Sequence, residues 1–154
     1  MKIRTSVLML ALSLVAVVCF AASDSTMGTW KLNESKSKLA AGAPKNSTVV
    51  YETAGDSVKV TIDGTAPDGT PVYSEWTGKF DGKEYPSTGN PREDMRSVKQ
   101  IDDRTLHVTS MKDGKVVLTA HVVVSADGKS RTVTASGTDA QGKKYKSVAH
   151  YDKQ

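Results

Sequence analysis

From Thr29 onward the chain alternates apolar and polar residues in short runs rich in Val, Thr and Tyr, and no segment there sustains apolar spacing at the helical period. The runs begin at Thr29, Thr48, Ser57, Pro71, Met95, Arg104, Lys115, Ser130 and Lys143. Between them lie the pairs Gly55-Asp56, Asp68-Gly69, Asp81-Gly82, Asp102-Asp103, Asp113-Gly114, Asp127-Gly128 and Gln141-Gly142. Glycine accepts a positive φ without a Cβ clash, so such pairs favour tight hairpins. Joins this short connect neighbouring antiparallel strands, and the chain is expected to meander.

Burial fixes the expected register at two turns. A two-residue loop at Gly55-Asp56 pairs Tyr51 with Val60 and Val49 with Ile62, gathering Val49, Tyr51, Val58, Val60 and Ile62 on one face. At Asp113-Gly114 a two-residue loop mixes the faces. A three-residue loop from Lys112 instead pairs Met111 with Lys115 and collects Leu106, Val108, Val116, Leu118, Ala120, Val122 and Val124. A meander this long leaves unpaired edges if it stays flat, and closure removes them. The sequence therefore predicts an all-β antiparallel up-and-down barrel of eight to ten strands, with a β-sandwich as the second choice. Two longer connections interrupt it. Residues 33–47 leave room for a short helical turn, and residues 85–91 carry two prolines and a glycine that argue against a continuous strand.

The amino terminus reads differently. Met1-Lys2-Ile3-Arg4 is basic, residues 7–20 are apolar, and Ala21-Ala22-Ser23 then supplies small residues before the polar Asp24. That run suits a signal peptide and is short of the ~18–20 residues that span a bilayer. The expected organisation is a signal peptide at residues 1–23 and one domain at 24–154, in a protein that is periplasmic or secreted, with no stable membrane insertion after cleavage. Cys19 has Val18 rather than a small residue before it and lies within the apolar run, so it reads as part of that segment and not as a lipidation site.

The domain then has no thiol, which excludes disulfides, thiolate catalysis and cysteine-based zinc sites. The net charge of +4 falls to about +2 without Lys2 and Arg4, too small a bias to imply nucleic acid or an anionic membrane as partner. Lys143-Lys144-Tyr145-Lys146 reads as a solvated strand edge. His107 and His121 share the polar face of one hairpin, roughly diagonal, without a third ligand for a metal. No Gly-x-Ser-x-Gly turn, phosphate-cradling glycine loop or calcium-loop series is present. No catalytic residue, metal site or cofactor is expected.

Gly28-Thr29-Trp30-Lys31-Leu32 resembles the Gly-x-Trp opening of the calycins, the lipocalins and fatty-acid-binding proteins, and Ala54-Gly55-Asp56 and Tyr151-Asp152-Lys153 extend the likeness loosely. The resemblance implies a ten-stranded barrel around a lipid cavity, with Trp30 closing its base. It also implies a carboxylate-binding Arg-x-Tyr near the end and a second arginine upstream. Here Ala149 stands at the first arginine position and the second falls near Val123. The chain also resembles a group of small exported bacterial proteins with similar Gly28–Asn33 and Asp81–Pro86 text, a likeness that brings no activity with it.

Three functions stay open. The leading one is a carrier of a small hydrophobic or amphipathic molecule inside the barrel, with Tyr51, Trp76 and Tyr151 as ligand-binding residues, although each also reads as a core-filling aromatic. The second is an envelope interaction or inhibitor module acting through the loops, notably Asn90 and Arg92. The third is an enzyme with an unrecognised site.

Overall fold

The computed structural model describes residues 25–154. Residues 1–23, read above as a signal peptide, and Cys19 among them lie outside the described residues. Ten strands follow in order: β1 (Gly28–Leu32), β2 (Lys45–Ala54), β3 (Ser57–Thr65), β4 (Pro71–Gly78), β5 (Asp81–Thr88), β6 (Met95–Asp102), β7 (Thr105–Lys112), β8 (Lys115–Val124), β9 (Ser130–Thr138) and β10 (Lys144–Lys153). Each pairs antiparallel with its neighbour, and β1 pairs with β10 to close the barrel. A single 3-10 turn, Glu34–Lys36, occupies the connection between β1 and β2, capped by the Asn33 side chain accepting from the Lys36 N–H. Even-numbered strands run from one end of the barrel, here the mouth, to the other, here the base; odd-numbered strands run back.

The hairpin at Gly55-Asp56 has the register that burial demands, with Tyr51 opposite Val60 and Val49 opposite Ile62. The hairpin between β7 and β8 corrects the expectation. Its loop is two residues, with Lys112 opposite Lys115, and both Asp113 (φ 49°) and Gly114 (φ 71°) take the positive φ of the tight turn that suits strand twist. The face mixing that argued against this loop is resolved by a bulge: the pairing shifts between Ser110, opposite Leu118, and Met111, opposite Val116. Val116 consequently points outward at 58% exposure rather than joining the inner face.

A second correction concerns residues 85–91. Strand β5 runs through Pro86 to Thr88. It pairs with β6 along its length but with β4 only at Glu75–Thr88 and Trp76–Ser87. A strand so little bonded on one side behaves as an edge, where the missing proline N–H costs little. The turn that follows holds Gly89 at φ +83°, and a Cβ there would lie 2.1 Å from the Tyr73 carbonyl oxygen. Gly89→Ala is therefore expected to destabilise the barrel by about 2 kcal/mol in urea titration, since both backbone and neighbour must move.

The base half is filled solid. Trp30, Trp76, Leu106, Val124 and Phe80 are at most 3% exposed and belong to one cluster with Val58 and Val60. Fully burying a side chain of this kind contributes about 1.5–3 kcal/mol, which explains why a chain lacking disulfides closes on this face.

Candidate functional site

Above the plug the barrel is hollow. The cavity has a volume of about 160 Å³ and is walled by the inward residues of the strands, among them Val49, Ile62, Val108, Val122 and Val133. Alternation places these side chains: each lies two residues from another inward position on its strand.

One charge breaks the apolar pattern near the base. Arg131 is the second residue of β9, in phase with Val133 and Ala135, and its side chain lines the cavity while only 3% exposed. The register sets it opposite Tyr151 on β10 and Val124 on β8. Its guanidinium carbon lies 4.8 Å from the Trp30 ring centroid, 5.1 Å from Tyr51 and 4.8 Å from Tyr151. Cations over ring faces are held by the π quadrupole, but those rings accept no strong hydrogen bond. Nε and Nη1 of Arg131 are buried with no hydrogen-bond partner among the described residues, and no ion pair there includes this side chain. Buried guanidinium donors are normally satisfied, because leaving them bare costs the desolvation penalty.

The rings that frame Arg131 are themselves fixed. Trp30 donates its indole N–H to the Thr26 carbonyl at 2.9 Å, and Tyr151 donates its hydroxyl to the Asn46 carbonyl at 2.9 Å. Burial pushes the Tyr151 hydroxyl up to about 12, against the opposing pull of the Arg131 cation. An unfolded tyrosine ionises near pH 10. Between about pH 10 and 12 the unfolded chain loses its proton first, so stability that is full below pH 10 falls as pH rises. The loss from Tyr151 amounts to roughly 2–3 kcal/mol. Urea midpoints measured at pH 9 and 11.5 should separate strongly, and Tyr151→Phe should shrink the gap.

A second charged group borders the cavity toward the mouth. Arg96, second residue of β6, and Glu93 are 9% and 5% exposed, and both line the cavity. Arg96 Nη2 lies 2.8 Å from Glu93 Oε1 and donates to Oε2 at 3.0 Å, while Nε has no partner among the described residues. Here a carboxylate matches the guanidinium; at Arg131 none of the described residues supplies one. Asn90 and Arg92 also line the cavity, with Arg92 donating to the Thr138 carbonyl at 2.9 Å. These two residues of the loop singled out as an interaction surface are half-buried and border the cavity.

Of the three aromatics expected to bind ligand, Tyr51 and Tyr151 line the cavity and Trp76 does not. Trp76 is 1% exposed, stacks on Phe80 at 6.4 Å, meets the Tyr85 ring edge-on at 5.9 Å and donates its N–H to the Arg96 carbonyl at 3.0 Å. The plug, not the cavity, holds it. Arg131 went unnoticed in the sequence. Its signal was a charge in phase with Val133 and Ala135 on an inward face. The position near Val123 implied by resemblance faces outward at 46% exposure, so the guanidinium reaches the interior from β9 instead.

His107 and His121 prove to be directly opposite, not diagonal, with ring centroids 4.7 Å apart. No group of three or more metal-ligating side chains occurs among the described residues.

No protein-family model and no curated protein sequence matches the chain. Among solved structures it is similar to a Schistosoma mansoni fatty acid binding protein in complex with arachidonic acid. The TM-score is 0.55 at 17% identity, over 87% of this chain and 99% of that one. It also aligns with a redesigned β-barrel bound to DFHBI, at TM-score 0.45 and 15% identity over 86% of this chain and 98% of the other. A de novo designed fluorescence-activating β-barrel gives TM-score 0.39 and 15% identity over 86% and 97%. The first likeness fixes the class of fold: this is a calycin-like, ten-stranded antiparallel β-barrel with an internal cavity.

Proposed function

We propose that the protein is an exported carrier or scavenger of a small amphipathic acid, held with its apolar body against the aliphatic wall and its anionic group on Arg131. The observation that carries this reading is the guanidinium itself, buried, unmatched by a carboxylate among the described residues and lining an apolar cavity. A carboxylate bound where the guanidinium borders the cavity would neutralise its charge, and a charge-assisted contact in a low-dielectric site is among the strong ones. Tyr51 and Tyr151 then flank the anionic group, since both rings already pack on the same guanidinium. The similar Schistosoma mansoni protein holds arachidonic acid, which shares the carboxylate and apolar body though not the size. Export rests on the basic start, apolar run and small residues of the first 23 positions.

Native mass spectrometry of the mature protein purified from its host's envelope, followed by extraction, tests the carrier reading. A stoichiometric acidic adduct supports it and names the ligand class. A clean apo mass, with no uptake of fluorescent fatty acids or aromatic acids afterwards, would sink it.

A further inference from the structure

We infer that the ligand is a compact acid with a second, neutral hydrogen-bonding group at the end away from its carboxylate, and not a long acyl chain. This rests on the carrier reading and adds to it a size and a second polar contact.

Size comes first. A cavity of about 160 Å³ is well below the ~300–1,000 Å³ of pockets that enclose drug-sized ligands. It cannot lengthen toward the base, where Trp30, Trp76, Phe80 and Leu106 are at most 3% exposed and none lines the cavity. A long chain anchored on Arg131 would have to leave through the mouth.

The wall toward the mouth is the second observation. Arg131 stands at the base end of an odd-numbered strand, whereas Arg96 stands second from the mouth end of an even-numbered one. Ser110, directly opposite Arg96 on β7, and Ser74 on β4 are each 3% exposed and line the same cavity. Neither serine hydroxyl hydrogen-bonds to another described residue. Methylene groups laid against these atoms would leave them buried and bare, a cost that apolar contact elsewhere does not remove. A hydroxyl or amide would satisfy them. A second carboxylate would not, because Glu93 already neutralises Arg96 and its own charge would repel another.

Isothermal titration calorimetry of the delipidated mature protein with benzoate, 4-hydroxybenzoate, octanoate and hexadecanoate reads both parts. Expected is binding of 4-hydroxybenzoate about tenfold tighter than benzoate, the usual worth of one satisfied buried hydrogen bond, with hexadecanoate the weakest of the four. Ser110→Ala should lower the ratio of 4-hydroxybenzoate to benzoate affinity, and Ser74→Ala added to it should bring that ratio to about one. Affinity that climbs from octanoate to hexadecanoate would overturn the compact ligand yet leave the carrier intact. Equal affinity for the two benzoates, with Ser110→Ala inert, would overturn the second polar contact. Failure of every acid to bind would overturn the carrier reading along with both.

Discussion

Arg131→Met is expected to abolish acid binding and to raise the melting temperature at the same time. The two effects share a cause. In the free protein the guanidinium is desolvated at 3% exposure, and its contacts are three ring faces instead of a carboxylate. Each ring contact contributes about 0.5–2 kcal/mol, while an uncompensated buried charge costs several. Methionine has a comparable reach and a polarizable sulfur that packs well on aromatic rings, so most of the ring contact survives the exchange. The charge term therefore wins, and a gain of about 1–3 kcal/mol is expected, readable as several degrees by calorimetry. Binding of a fluorescent acid should weaken by at least about a hundredfold, the worth of a buried, hydrogen-bonded ion pair. A variant that melts lower and still binds would show that Arg131 only clamps Trp30, Tyr51 and Tyr151 together.

Trp76→Ala is expected to do the reverse, removing about 3–5 kcal/mol of stability, as large aromatic truncations in packed cores do. The site offers little to collapse with. Phe80 and Tyr85 are held against the indole from two directions, and the Arg96 carbonyl loses its donor. Urea titration measures the loss. Acid affinity in the fraction that remains folded should change little, because Trp76 does not line the cavity. Tyr51→Leu makes the useful contrast: it removes a ring that lies in the cavity wall over Arg131, so acid affinity should fall with a smaller loss of stability than at Trp76.

The alternation of Val49, Tyr51, Val58, Val60 and Ile62 made the barrel legible, because a period of two with short Asp-Gly joins leaves few other ways to bury those faces. What failed was local. Pro86 disguised β5, since sequence does not say that one side of a strand will be almost unbonded. The bulge at Ser110–Met111 hid the true hairpin, because one extra residue exchanges faces without a composition signal. The cavity was harder still. Tyr51 and Trp76 have the same inward phase, and only the depth of the plug decides that one faces space and the other fills it. Arg131 was legible in principle as a charge on an inward face.

The closing pair of strands carries a further consequence. Gly28 begins β1 and Lys153 ends β10 at the same end of the barrel, where the Gln154 N–H donates to the Thr29 carbonyl and Lys153 packs over Trp30. The 33–44 and 89–94 connections lie at the other end, beside the cavity. Anything joined directly before Ser25 or after Gln154 is thereby leashed to the plugged end. A barrel immobilised by a tag on a sensor chip, or strung from a carrier domain, would stand with its opening outward and its solute exchange unobstructed.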